Sequence, residues 1–189
     1  MTWLAALLRA AAGRRAVTAL AFVIALAWWG TSHAGDLPLP VTEQRGFIVV
    51  RAESGMETLA EEIADQAPEM LESISQDLPS LPRPEVVEIR LIKRSKDLAR
   101  AAPAGRGAPH WAAGVAYPDQ GVVVVAYRDQ GEAFDVESVV AHELAHLALG
   151  AALKGRAPRW LNEGFAYLHS SDWSFERVRT LTGLSLIHI

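Results

Sequence analysis

The chain has 189 residues, half of them apolar, with 18 basic and 22 acidic side chains and a formal charge of −4. That balance suits one globular domain with a real core, not a disordered or repeat protein, and it lacks the basic excess that grips nucleic acid or anionic headgroups. There is no cysteine, which excludes disulfides and thiolate metal ligands.

Arg9, Arg14 and Arg15 precede an uncharged run from Ala16 to Trp29, and Ser32-His33-Ala34 is a small-x-small cleavage pattern. Residues 1–34 therefore read as an export signal. The apolar run has 14 residues, short of the ~20 that span a bilayer, and a retained N-terminal membrane anchor is the alternative. Cleavage after Ala34 removes three arginines and no acid, leaving a formal charge of −7. The expected location is periplasmic or extracellular, with membrane association through this segment if it is kept.

Residues 35–45 read as a linker, proline-rich from Asp36 to Pro40, and Phe47 to Arg51 is a β-branched strand. Ser54 and Glu57 have capping-box spacing. They open a helix whose apolar stripe is Met56, Leu59, Ala60, Ile63, Ala67, Met70, Leu71 and Ile74, with a kink or break expected at Pro68. Leu78 to Pro84 is a turn. Val87, Ile89 and Leu91 then alternate with Glu88 and Arg90, the pattern of a half-buried strand with a solvated charged face. Ala101 to Pro109 is expected to be a mobile loop. Trp111–Tyr117 and Val122–Tyr127 are strands joined by Pro118-Asp119-Gln120-Gly121, which is turn chemistry, so they form a hairpin.

Residues 142 to 146 read His-Glu-Leu-Ala-His. On a helix, positions four apart differ by only roughly 40° around the axis, so His142 and His146 project from one face about one turn apart and can grip one metal ion. Glu143 lies one step round, where its carboxylate can face a water on the metal instead of binding the metal itself. Asp135 is placed to cap this helix, Glu137 sits in its first turn, and Phe134 with Val139 has staple spacing. Lys154 and Gly155 supply a C-terminal cation and a left-handed cap, and Pro158 opens the next helix. Val139, Val140, Leu144, Leu147 and Leu149 leave almost no polar side, which places the helix inside the domain.

The acidic residue that completes a three-ligand site is Glu163, seventeen positions past His146 in Trp160-Leu161-Asn162-Glu163-Gly164. A metzincin would need Gly and His where this chain has Leu149 and Ala152. Asn-Glu-Gly opening a second helix resembles instead the gluzincins. The run Pro158-Arg159-Trp160-Leu161-Asn162-Glu163-Gly164-Phe165-Ala166 is similar to the peptidase MA-like families of small exported bacterial zincins. Ala112 to Leu168 carries the resemblance, with a diffuse likeness over Gly46 to Ile92.

The resemblance implies an α+β, zincin-like fold: a small mixed β-sheet, an active-site helix, and a following helix with the third ligand. It implies Zn²⁺ on His142, His146 and Glu163, which would lower the pKa of a bound water to about 7, and Glu143 as general base in peptide-bond hydrolysis. The strand at Ala112, Ala113, Gly114, Val115 and Ala116 falls where gluzincins pair an extended substrate, though an ordinary hairpin reads equally well. Tyr167, one turn past Glu163, stands where many gluzincins carry an outer-shell Asp, a departure that leaves the support of His142 open; it reads as an oxyanion donor, an outer-shell residue or core packing. His110 and His169 read as surface residues.

The chain ends 26 residues after Glu163. Residues 184–189 resemble a translated read-through, so the domain is expected to occupy 46–183 and to be incomplete at its C-terminus, with His188 outside the ligand set. The expected partner is a peptide or protein substrate, and no nucleic acid. The competing class is a non-catalytic zinc-stabilised binding module of the cell envelope, or an inactive fragment. Glu143 separates them, because a purely structural site has no use for an unligated carboxylate there.

Overall fold

Gly46 and Phe47 form a two-residue turn, with Gly46 at φ +61°, where a type II′ hairpin places glycine. The turn joins β1 (Val41–Arg45) to β2 (Ile48–Ala52) in an antiparallel pair. The computed structural model describes residues 37–129 and 132–170. The expectations for residues 1–34, 171–183 and 184–189 fall outside that range. Residues 41–45, expected as linker, are therefore an edge strand. Their alternating exposure is that of a strand with one wet face, which its polar composition disguises.

Helix α1 (Glu57–Gln76) follows, then β3 (Val87–Arg94), a 3₁₀ turn at Ser95–Asp97 and a short α2 (Leu98–Ala101). Next come β4 (Gly114–Tyr117), β5 (Val122–Asp129) and β6 (Glu132–Ala133). Helices α3 (Val136–Leu153) and α4 (Arg159–His169) close the described chain. The sheet is mixed, in the order β1-β2-β3-β5-β4 with β6 also on β5. Strands β2, β3 and β5 run parallel, and β4 lies antiparallel to β5 at the edge. This is an α+β architecture.

The expected capping box is absent. Met56 is the N-cap of α1, without a side-chain bond, and Glu57 reaches back instead to accept from the Gly55 amide. Nor does Pro68 end the helix, which runs unbroken through it. A helix-interior proline costs about 3 kcal/mol, but Ala60, Ile63, Ala64 and Ala67 before it and Leu71 and Ile74 after it all bury in the same core. At about 1.5–3 kcal/mol for each large apolar side chain, that stripe outweighs the lost hydrogen bond.

Val87, Ile89 and Leu91 face the main core with α1 and α3, as the alternation requires. The opposite face is not solvated: Glu88 and Arg90 are buried there, Arg90 at 2 % exposure, among Leu37, Ile92, Leu98, Ala101, Val122, Val124 and Ala126. Arg90 Nε donates to Glu88 Oε1 at 2.9 Å, and Arg90 also donates to the Ala101 carbonyl at 2.7 Å. Arg51 Nε lies 3.3 Å from the same carboxylate. That carbonyl bond ties down the start of the segment expected to be a mobile loop, where Ala101, Ala102 and Pro103 are buried. Farther on, Tyr117 donates to the Gly107 carbonyl and Arg106 pairs with Asp119.

Helix α3 packs on β4 and β5, as well as on α1 and α4. Glycine permits the approach to the edge: a Cβ at Gly150 would lie 2.4 Å from Pro118 Cβ, and one at Gly114 would strike Val139 and Glu143. By length and composition Val136–Leu153 would suffice to cross a membrane; here it is a largely buried helix of the domain.

Candidate metal centre

Asp135 caps α3, its carboxylate accepting from the Ser138 amide at 3.2 Å, so the helix begins where the sequence places it. At the other end Lys154 and Gly155 both adopt left-handed conformations, φ +53° and +68°, and the Gly155 amide donates to the Gly150 carbonyl at 2.8 Å. Two consecutive left-handed residues stop the helix and turn the chain. After Pro158, which is the N-cap, α4 packs back on α3. The staple does not form one cluster: Phe134 packs on the second face of the sheet and Val139 on the main core.

This return brings three side chains together. His142 Nε2 and His146 Nε2 are 3.2 Å apart, and Glu163 Oε2 is 4.0 Å from each. A triangle with those sides has a circumradius of about 2.2 Å, so one point within it is as far from each atom as zinc stands from imidazole nitrogen and carboxylate oxygen. His142, His146 and Glu163 can hold a metal ion. The donor set of two imidazoles and one carboxylate suits zinc and its first-row neighbours. The side chains are 18, 12 and 29 % exposed, in that order, which leaves the centre open to a cleft of about 890 Å³.

Glu143 lines the same cleft but stands outside the ligand group. It is 6 % exposed. Burial pushes its carboxyl up to about 8; the Glu163 charge adds to the rise, and a hydrogen bond from the Ala116 backbone opposes it. An acid poised near neutrality is suited to exchanging protons with a bound reactant.

The edge strand begins at Gly114; Ala112 and Ala113 precede it, although the Ala126 amide still donates to the Ala113 carbonyl at 2.8 Å. Bonding alternates along an antiparallel pair, so Val115 and Tyr117 share the bonding direction of Ala113, while the backbone groups of Gly114 and Ala116 face away from β5. Ala112 through Ala116 all line the cleft.

Tyr167 packs edge-on against the His142 ring, centroids 4.9 Å apart, and also lines the cleft. The buried Nδ1 of His146 has no hydrogen-bond partner among the described residues. Metal-bound imidazoles usually donate from that atom, and no described residue takes the role. His110 is exposed as expected. His169 is not: its side chain is 11 % exposed, edge-on to Phe165 and 3.3 Å from Asp77. Sequence reading missed Trp111, which is 73 % exposed at the cleft, and the close approach of Glu143 and Val139 to Gly114.

No family model and no curated protein matches this chain.

Proposed function

We propose that this chain is a zinc-dependent peptidase of gluzincin type, built on a zincin-like fold, with His142, His146 and Glu163 as ligands and Glu143 as general base. The observation that carries the reading is Glu143: a buried carboxyl beside three convergent ligands, and not one of them. A site that only stiffens the fold would gain nothing from it. Zinc bound by the three residues supplies a Lewis acid for the scissile carbonyl and an acidified water.

The chain's own groups do the rest. Glu143 accepts a proton from the attacking water and returns it to the leaving amine, a shuttle for which its buried place in the cleft beside the three ligands suits it. The outward backbone of Gly114, at the sheet edge, pairs with an extended peptide laid along the cleft. Tyr167 steadies the His142 ring by packing. An exported location follows from the N-terminal sequence, and the substrate is a peptide or an unfolded protein.

Stripping and reloading the metal tests the reading. Chelation should abolish cleavage of an unfolded protein, and one equivalent of zinc should restore it. Cleavage that persists through chelation would exclude zinc as the source of activity.

A further inference from the structure

Gly114 does not need to be glycine for its backbone. Its φ is not among the positive ones, so any residue fits the conformation. What excludes a side chain is the neighbour: an added Cβ would lie 2.8 Å from Glu143 Cγ, 2.9 Å from Glu143 Oε1 and 2.9 Å from Val139 Cγ1. Non-bonded carbons settle at about 3.5–4.0 Å. The contact therefore falls mainly on one residue, the buried acid of the metal cleft.

The same strand holds that acid a second way, two residues on, through the hydrogen bond from the Ala116 backbone to the Glu143 carboxyl. Both points of contact lie at the outward-facing positions of β4. We propose that Gly114 is a positioning residue for Glu143: lacking a Cβ, it lets β4 close on α3 until the carboxyl is held against the strand and kept turned to the metal centre. This rests on reading Glu143 as the general base.

The physical chemistry decides which neighbour an alanine would displace. Val139, on a helix, is stiff about its single torsion, whereas Glu143 has three rotatable bonds and meets the new atom with its Cγ and Oε1, both of which move when its torsions turn. Glu143 gives way. Its carboxyl then leaves the Ala116 amide, while His142, His146 and Glu163 stay where they are.

The test uses zinc-loaded protein and two readouts. In Gly114→Ala, zinc content should remain that of the parent and KM should stay within about twofold, while kcat falls at least about tenfold, a part of the 10²- to 10⁴-fold that general-base catalysis supplies. Thermal melts complete a double-mutant cycle with Glu143→Ala. Gly114→Ala should lower the Tm by several degrees in the parent and by less than half as much in the Glu143→Ala background, where two of the three close contacts are gone. Should Gly114→Ala fail to fold, recovery of a cooperative melt in the double variant supports the proposal, and failure of both overturns it. Equal Tm shifts in the two backgrounds, or a parental kcat in Gly114→Ala, would also overturn it. An inactive parent would sink the peptidase reading, while the thermal cycle still decides whether Gly114 holds Glu143.

Discussion

Glu163 Oε2 stands 4.0 Å from His146 Nε2, although the two residues lie on different helices joined by a left-handed turn. The same oxygen is equally far from His142 Nε2. A metal held by these three side chains from two helices would clamp the helices together.

Zinc should therefore stabilise the folded chain. At a hundredfold excess over Kd, binding to the native state alone adds about 2.7 kcal/mol, or roughly 5–10 °C in Tm for a domain of this size. The His146→Ala variant should show no such rise, and Glu163→Gln should need at least about 100-fold more zinc, since losing outer-shell support alone costs 10- to 100-fold. Melts across a zinc titration check this. An identical rise in the parent and His146→Ala would place the metal elsewhere.

Without metal, Glu143 should govern the response to base. Its folded pKa, about 8, lies above its ordinary 4.5. The stability contributed by a group shifted this way is complete below 4.5 and lost as the pH rises through 8. Metal-free parent should thus weaken from pH 5 to pH 8 relative to Glu143→Gln, by at most about 1.4 kcal/mol per pH unit. Melts of both proteins in chelator at several pH values are the measurement, and parallel curves would contradict it.

His169 should act at the acid end. Burial lowers its pKa below 6.5, against the opposing pull of Asp77. A depressed pKa gives stability that is present above 6.5 and lost as the pH falls through the folded value. His169→Gln should narrow the acid loss seen in the parent. If the two proteins lose stability in step between pH 7 and 5, His169 is not the titrating group.

Arg90→Met tests the covered second face of the sheet. It removes the partner of Glu88 and the bond to the Ala101 carbonyl, while Arg51 remains beside the carboxylate. Breaking a buried pair costs about 3–5 kcal/mol, and the retained Arg51 sets the expectation near about 3. Denaturant unfolding reads it. A loss under about 1 kcal/mol would mean that water reaches Glu88.

Legibility in the sequence followed locality. His142 and His146 are one helical turn apart, Asp135 caps the same helix, and Lys154-Gly155 end it, so α3 and two candidate ligands are legible from adjacent residues. Glu163 required only the next helix. The face of β3 bearing Glu88 and Arg90 is not legible because alternation looks the same whether that face meets water or a second layer, and the covering comes from Leu37, far upstream, and from the short helix that follows β3. Helix propensity alone lets Pro68 break α1, and burial on both sides of it carries the helix through. Gly114 did leave a signal: a lone glycine in a strand marks close backbone approach. Only the fold shows that what approaches it is Glu143.

The most direct measurement is Glu143→Gln, which keeps shape and hydrogen bonding and removes the group that accepts the proton. Zinc content and cleavage of an unfolded protein are compared between parent and variant. The account predicts equal zinc in both, cleavage by the parent, and a loss of about 10²- to 10⁴-fold in the variant. Equal cleavage by the two proteins, each with zinc bound, would contradict it.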